Sequence, residues 1–401
     1  MALAKRPKRL LAVAAALIAA AIGYVWSEGL SLSGASPQRA IPEGAPLALL
    51  VEPAMTAVAR TWIADHAAAD LAFRWGEGVL MLGLDCAGQA AAAPEARAAI
   101  DGYVRRYYEA HASRGTSFTW SDELTPAIAA AERLGRGESA RGPAVEAAVR
   151  YVLSAPRTSG LGAITHFGRS PLRHLAPPFP EAWVDTLFHV VPLLVRHGQL
   201  AHSPDEIELA AEQVARFMRA VQDPASGLVT HAFSERDGAV SADPPLAARL
   251  FWLRGQGWVL WSGVEAWSAL REGHPLRAEL SDRLGRLAGA LIARQSASGL
   301  FHTLVDRSTT YLETAGSALV VAALARGARA GLLDARASTA ATRGMRGLLA
   351  ILEHEGDRRV VPGTSLGTNP WPAIYEHVPT APQVSYGVGA FLIAACELAR
   401  S

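Results

Sequence analysis

The sequence lacks an excess of charge of either sign. Its 401 residues include 38 Lys and Arg and 37 Asp and Glu, so the formal net charge at pH 7 is +1. No basic stripe offers a surface for nucleic acid, and no acidic run indicates a disordered tail. The chain is long enough for one large domain or two average ones with a sizeable core. We therefore expect a globular protein that does not bind nucleic acid.

Several chemical signatures are also missing. The only two cysteines, Cys86 and Cys396, lie far apart in the sequence, and no histidines have the spacing of HExxH. We expect neither a metal site nor a cofactor. No Gly-x-Ser-x-Gly elbow is present, and "WGEGVLMLG" precedes a helix without a strand before it, unlike a phosphate-binding loop.

A long uncharged apolar run occurs at the N-terminus, where four basic residues between positions 5 and 9 precede "LLAVAAALIAAAIGYVW" (10–26). This order is typical of an export signal, and its length is near the lower limit for a membrane-spanning helix. Tyr24 and Trp26 resemble an interfacial anchor. Residues 1–26 are therefore either a cleaved signal peptide or a membrane anchor. In both cases we expect export, to the periplasm or to the outer face of the cytoplasmic membrane.

The remaining sequence shows no convincing run of alternating strand residues. Residues 27–45 are rich in Ser, Gly and Pro and are predicted to be a linker, and residues 46–401 form the main domain. Apolar residues at helical spacing predict an all-α domain of about twelve helices. The predicted segments are 46–68, 76–90, 93–113, 122–134, 142–154, 181–197, 204–221, 246–271, 276–295, 312–331, 336–354 and 383–399.

A weak internal repeat suggests how the helices are arranged. "ARFMRAVQDPASGLVTHAF" and "LAGALIARQSASGLFHTLV" share a helix, a polar break, Ser-Gly-Leu and a His, and each precedes another helix. Repeated helical pairs bury their apolar faces by stacking on neighbours. Six hairpins closed in a ring use all twelve helices, with the second helix of each pair inside. We expect the chemistry at the loops that enter these inner helices, where helix N-termini favour an anionic ligand.

Six short motifs in succession resemble a known group of enzymes, the unsaturated glucuronyl and rhamnogalacturonyl hydrolases of glycoside hydrolase families 88 and 105. The resemblance extends from about residue 73 to the C-terminus. The motifs, in order, are "PRTSGLGAITHFG", "AWVDTLFHVVPLL", "DPASGLVTHAF", "FWLRGQGWVL", "ASGLFHTLVDRSTTYLETAGSALVVAALARGARAGLL" and "YGVGAFLIAACEL".

The resemblance implies an (α/α)6 barrel and an acidic oligosaccharide substrate. Enzymes of these families remove a 4,5-unsaturated uronic acid from the non-reducing end of oligosaccharides left by polysaccharide lyases. The choice between a glucuronyl and a galacturonyl sugar stays open, as does the oligomeric state. Two alternatives also remain: an inactive envelope barrel that binds acidic polysaccharide, or another (α/α)6 sugar enzyme such as an epimerase or an ordinary glycosidase. The last requires a second acid or a His pair facing the first.

Asp185, in "WVDTL", matches the single Asp that performs the family's hydration chemistry. That residue protonates C4 of the vinyl ether and takes a proton from the water that adds at C5, and the resulting hemiketal collapses. A general acid needs a raised pKa. Burial beside Trp183 raises the pKa of a carboxyl, whereas a helix N-terminus lowers it, so the sequence leaves the direction open. The alternative role is that of a helix-capping Asp.

The resemblance also implies a set of residues around the substrate. An Arg offers a planar fork for a carboxylate, and a Trp can stack on a sugar face. The alternatives are a backbone-bonded loop His, a structural ion pair and core packing. The implied substrate-binding residues are His231, Arg254, Trp258, Trp183, His166, Trp252 and Trp75.

The chain departs from the family pattern at several positions. Gln256 stands where the family has Asn in "RGNGW", Thr125 replaces an Asn before Pro, and His189 replaces a Met. The glucuronyl branch uses a second Asp, for which Asp122 is the nearest candidate. These changes either alter sugar specificity or mark a loss of activity.

The two cysteines each lie near the end of a predicted inner helix, one in the first and one in the last. In a closed ring these two helices are parallel neighbours. One hypothesis is that Cys86 and Cys396 form a bridge across this seam, which a Cα separation above about 7 Å excludes. The alternative is two buried thiols.

Overall fold

Twelve α-helices make up most of the described part of this computed structural model. The described residues are 31, 33–42, 44–112, 117–138, 141–174, 180–236, 239–241, 250–367 and 375–400. Each of the twelve predicted segments overlaps one α-helix, so the helical prediction is confirmed. The helices are α1 (Ala48–Asp65), α2 (Trp75–Ala90), α3 (Pro94–Ala110), α4 (Pro126–Gly135), α5 (Gly142–Ser154), α6 (Asp185–Leu200), α7 (Pro204–Val221), α8 (Leu253–Ala269), α9 (Pro275–Ile292), α10 (Thr314–Arg329), α11 (Ala335–Ile351) and α12 (Ser385–Ala399).

The even-numbered helices form a closed inner ring. Each packs on the next, from α2 through α4, α6, α8 and α10 to α12, and α12 packs back on α2. The inner helices are buried around most of their circumference, as in α8, where every residue from Leu253 to Trp267 is buried. The odd-numbered helices bury one face only, as the alternating buried positions of α7 show. The second helix of each pair therefore forms the inner wall, as predicted.

The ring closes at a tightly packed seam between α2 and α12. A Cβ atom on Gly83 would lie 2.5 Å from the carbonyl oxygen of Gly389, which is too close for any side chain. The close approach of the two helix backbones therefore requires glycine at this position. Cys86 and Cys396 form a disulfide here with their Cα atoms 6.2 Å apart, which confirms the bridging hypothesis. A cross-link between residues so distant in sequence typically stabilises a fold by about 2–5 kcal/mol. Disulfides are typical of oxidising compartments, in agreement with the predicted export, which stays a prediction.

Short antiparallel strands occupy the loops that join the helices, so the expectation of a domain without strands was wrong. Most are two or three residues long, too short to show an alternating pattern in the sequence. Strand β1 pairs with β2 and β2 with β3, and the other pairs are β4 with β5, β6 with β7 and β8 with β9. The strands are β1 (Ala182–Trp183), β2 (Ala232–Arg236), β3 (Ala239–Ser241), β4 (Phe301–His302), β5 (Leu312–Glu313), β6 (Glu353–Glu355), β7 (Arg358–Val360), β8 (Thr364–Ser365) and β9 (Thr380–Ala381).

Strand pairing makes three inner helices begin later in the sequence than predicted. Helix α6 begins at Asp185 instead of 181, because Ala182 and Trp183 pair with Phe233 and Ala232. Helix α8 begins at Leu253 because Trp252 bridges to Leu304 in the same way. Strand β5 likewise delays the start of α10. The backbone of each entering segment bonds to a neighbouring loop before the helix begins.

The predicted signal or anchor segment, residues 1–26, lies outside the described residues. Within the described part of the chain, no helix combines the length and apolar character needed to cross a bilayer. The described part of the predicted linker lies on the barrel, where Ser31 pairs with Thr380 and the Ala35 N–H donates to the Leu312 carbonyl at 2.9 Å.

Candidate active site

The N-terminal ends of the inner helices meet at one end of the barrel. At the starts of α2 and α12, the rings of Trp75 and Tyr386 lie 4.3 Å apart between centroids. The guanidinium of Arg254, at the start of α8, lies 5.0 Å from the Tyr386 ring centroid. The inner helices are therefore parallel, and the positive ends of their dipoles are gathered at this end of the barrel.

Asp185 and His231 form a hydrogen-bonded pair at this end. The pairing of β1 with β2 continues into a bond from the Val184 N–H to the His231 carbonyl (3.0 Å), which places the imidazole beside the first residue of α6. The Nε2 atom of His231 lies 2.8 Å from Oδ2 of Asp185. The Asp185 side chain keeps 19% of its surface exposed, whereas that of His231 keeps 2%. Asp185 is thus the member of the pair that a ligand can reach.

The surroundings of Asp185 favour its ionised form. Burial raises the pKa of Asp185, but the charge and hydrogen bond of His231, with the charges of His166 and His189, outweigh burial and lower this pKa from 3.8 to about 2. The balance that the sequence left open therefore favours the carboxylate form of Asp185. As a carboxylate, Asp185 can accept a proton directly. It can donate a proton only after it has itself been protonated.

The far side of His231 is held by a tyrosine. The hydroxyl of Tyr375 contacts Nδ1 of His231, and Tyr375 is fully buried. The ring of Trp252 lies 4.5 Å from the imidazole and 6.0 Å from the Tyr375 ring. A partner on Nδ1 fixes which way the imidazole faces, so Tyr375 and Trp252 aim Nε2 at Asp185. Sequence reasoning missed Tyr375, which lies between β8 and β9, outside every motif named above.

A second carboxylate lies close to the first. Oδ1 of Asp122 lies 3.3 Å from Nε2 of His189 and 3.5 Å from Nε2 of His166. The ring of Trp183 stacks on His166 at 4.6 Å and meets His231 edge-on at 5.1 Å, so it connects the two carboxylates. Only one acid was predicted with its role from the sequence, and the structure places Asp122, the nearest candidate for a second, beside it. Among the described residues, no group of three His, Cys, Asp or Glu side chains is placed to hold a metal.

The guanidinium of Arg254 already has hydrogen-bond partners within the protein. It donates to the carbonyl oxygen of Ser365 (3.1 Å), to the Ser365 hydroxyl (2.8 Å) and to the Leu366 carbonyl (3.3 Å). It lies 4.5 Å from the Trp252 ring centroid and 3.9 Å from the buried carboxylate of Glu313. Arg254 therefore supports the aromatic wall behind His231, and its predicted contact with a substrate carboxylate stays a prediction.

The remaining predicted aromatic residues differ in their distance from the carboxylates. Trp258 is 2% exposed and packs against Phe188, at 4.3 Å between ring centroids, which is the core-packing alternative. Trp75 lies 6.0 Å from the Arg254 guanidinium and belongs to the aromatic wall.

Gln256 bonds to both the N–H (2.9 Å) and the carbonyl (2.6 Å) of Val229, and so ties the loop that carries His231 to α8.

The sequence matches the family described as Glycosyl Hydrolase Family 88 over residues 50–401. The chain belongs to this family. It is therefore a glycoside hydrolase, and the site built around Asp185 and His231 is its candidate active site.

Comparisons with individual proteins agree with this membership. This family 88 chain is 33% identical over 168 residues to Protein Atu3128 of Agrobacterium fabrum, covering 41% of the chain and 71% of that protein. It is 30% identical over 163 residues to the unsaturated rhamnogalacturonyl hydrolase YesR of Bacillus subtilis, covering 39% and 46%. A solved structure of a possible GH105 member from Salmonella enterica superposes with a TM-score of 0.74 at 22% identity, covering 91% and 97%, and so shares the fold.

The opposite end of the hydrolase barrel holds a cavity of about 430 Å³, where the last turns of the inner helices meet. Arg196 and Arg326 line it, but both bond to the buried carboxylate of Glu265, and Arg196 also bonds to Glu132 at 2.7 Å. Charges that are already paired bind a ligand weakly, because binding must first break the pairs. The active site is therefore assigned to the other end.

Proposed function

We propose that this family 88 hydrolase removes a 4,5-unsaturated uronic acid from the non-reducing end of oligosaccharides produced by polysaccharide lyases. Family membership and the named activity of the Bacillus subtilis relative support this substrate class. The single observation that carries the proposal is the carboxylate of Asp185, partly exposed and bonded to His231 where the inner helices begin. The gathered helix N-termini suit an anionic sugar.

The proposed reaction is hydration of the ring double bond. A proton is added at C4, and water adds at C5 and loses a proton. The hemiketal at C5 then opens to a ketone by breaking its bond to the ring oxygen, and the hemiacetal that is left at C1 collapses to an aldehyde and expels the aglycone. One proton is delivered and one is returned, so a single carboxyl group can perform both transfers. No covalent bond between enzyme and sugar is required.

The charge state of Asp185 assigns part of this work to His231. Because the pKa of Asp185 lies at about 2, its side chain is a carboxylate at neutral pH, and the proton for C4 must reach it from a neighbouring group. When the sugar carboxylate enters and displaces water, its negative charge raises the pKa of the neighbouring carboxyl group. Nε2 of His231, 2.8 Å from Oδ2, is the atom placed to pass a proton to Asp185, which then acts as the acid.

A panel of lyase-generated disaccharides tests the proposal. The wild-type enzyme should consume unsaturated glucuronyl or galacturonyl disaccharides with loss of the ultraviolet absorbance of the ring double bond, and should ignore the saturated equivalents. The panel also identifies the preferred sugar. Tight binding without loss of absorbance would contradict the proposal and indicate a barrel that only binds acidic saccharides.

A second candidate is an ordinary glycosidase that acts at the anomeric carbon. Asp122 favours it, because such an enzyme needs two carboxyl groups on either side of the scissile bond. Asp122 and Asp185 are connected through His166 and Trp183. The panel separates the two candidates, since cleavage at the anomeric carbon also consumes saturated sugars.

A further inference from the structure

Asp122 lies between two buried imidazoles. It belongs to a single helical turn, Ser121–Glu123, just before α4. The Nε2 atoms of His189 and His166 approach the same oxygen, at 3.3 and 3.5 Å. The two imidazole side chains are 3% and 5% exposed, and the Asp122 side chain is 16% exposed. The carboxylate therefore faces the site while the imidazoles stand behind it.

Each imidazole has hydroxyl partners on its other nitrogen. Nδ1 of His189 lies 2.6 Å from the Thr125 hydroxyl. Nδ1 of His166 lies 3.0 Å from the Ser121 hydroxyl and 3.2 Å from that of Thr186. A hydroxyl donates to a neutral imidazole and accepts from a protonated one. Both imidazoles can therefore gain or lose a proton without leaving a buried polar atom unpaired.

The charge of the whole site depends on these protons. The groups that face Asp122 and His189 are His166 and, one turn back on α6, Asp185 with its partner His231. Glu77, on the neighbouring helix α2, is bonded to Ser385 at 3.2 Å. When the three imidazoles are protonated, their charges and those of the carboxylates of Asp122 and Asp185 sum to +1. When the three imidazoles are neutral, the two carboxylates leave a charge of −2. The positive state attracts a sugar with one carboxylate, and the negative state repels it.

Burial and the neighbouring charges act in opposite directions on one of these imidazoles. Burial lowers the pKa of His166, and the carboxylates of Asp122 and Asp185 oppose that shift. His189 places a second imidazole against the same Asp122 oxygen. It is also close enough to Asp185 to contribute to the lowering of that residue's pKa.

We propose that His189 and Thr125 are positioning residues that hold Asp122 as a carboxylate facing the sugar and make the uptake of an anionic sugar depend on imidazole protonation. Thr125 and His189 are two of the three positions at which the chain departs from the family pattern, and they bond to each other. The two departures thus form one unit. The inference rests on the proposed function for the identity of the anionic ligand.

Steady-state kinetics between pH 5 and pH 8 test this unit. For the wild type, KM for the preferred disaccharide should rise about 10-fold as the imidazoles lose their protons. His189→Met should reduce that rise and lower kcat/KM at pH 5.5 by about 10-fold, because one of the three imidazoles that can carry positive charge is removed. His189→Gln should retain kcat better than His189→Met but show the same reduced rise in KM. His354→Met, at an exposed position, is the matched control and should behave as wild type.

A KM profile in His189→Met that rises as steeply as that of the wild type would overturn the inference. A readout independent of turnover is the NMR spectrum of the His189 ring. Asp122→Asn should shift the ring resonances of His189, because the charged acceptor beside Nε2 becomes a neutral amide. Unchanged resonances would also overturn the inference. This second experiment remains decisive if His189→Met does not fold, or if the wild type consumes no unsaturated sugar and the proposed function fails.

Discussion

Replacement of Asp185 by Asn is expected to reduce the turnover of unsaturated disaccharide by about 10³–10⁴-fold, because the amide can neither deliver a proton to C4 nor accept one from water. The variant should fold, since the amide keeps the size of the carboxyl group and can still bond to Nε2 of His231. KM should change much less than kcat, because the lost interaction forms in the transition state. Initial rates followed by ultraviolet absorbance measure the loss, and the thermal midpoint confirms folding.

The control for this variant is Asp205→Asn. Asp205 lies in the first turn of the outer helix α7 and is exposed, so it shares the helix-terminal position of Asp185 without its surroundings. If Asp185 served only to stabilise the start of its helix, both variants would lose similar stability and keep their activity. Turnover by Asp185→Asn within 10-fold of the wild type would refute its role as acid and base.

Replacement of His231 by Ala should produce the second large effect, a loss of about 10²–10³-fold in kcat. It should also shift the acid limb of the pH profile of kcat to a higher pH. The imidazole lowers the pKa of Asp185 to about 2, so its removal raises that pKa. Asp185 then loses its carboxylate form at a higher pH.

The stability that this carboxylate contributes is present above its ordinary pKa of 3.8 and is lost as the pH falls toward 2 in the wild type. In the variant the acid-unfolding midpoint should therefore lie at a higher pH.

Tyr375→Phe provides the matched comparison for His231→Ala. It removes the hydroxyl on Nδ1 but leaves the bond between Nε2 and Asp185, so its effect on kcat should be smaller, about 10-fold. Equal losses in the two variants would show that the imidazole acts only through its orientation. An unchanged acid limb in His231→Ala would show that His231 does not set the protonation of Asp185.

The helices and their arrangement could be predicted from the sequence because apolar periodicity persists over whole helices. The distinction between inner and outer helices was visible in composition, since inner helices such as α12 are apolar and small around their whole circumference. Ring closure then followed from the number of hairpins. The exact starts of α6, α8 and α10 could not be predicted, because strands of two residues leave no periodic signal.

The site was predictable only in part. Asp185 was found through its resemblance to a family motif, and the structure explains its place through the pairing of Trp183 with Ala232. Tyr375 and the contact between Asp122 and two imidazoles could not be found, because they join loops distant in sequence. The substrate contact of Arg254 stays a prediction, and the main-chain carbonyls around its guanidinium could not be predicted because only the fold brings them near it.

The departures from the family pattern make specific bonds in this structure. Thr125 bonds to His189, His189 to Asp122, and Gln256 to both polar groups of the Val229 backbone. Random loss of a site would leave buried polar groups without partners, at a cost of about 1–3 kcal/mol each. The bonding at these three positions therefore favours an active enzyme whose site is held by different side chains.

The most direct test of the proposed chemistry is a reaction of the wild-type enzyme with an unsaturated disaccharide in D2O, stopped early and followed by NMR and ultraviolet absorbance together. Hydration by Asp185 predicts that the aglycone is released at the rate at which the double bond disappears, with one deuterium added to a single face of C4. Release of the aglycone while the C4–C5 double bond persists, with no deuterium at C4, would contradict the account.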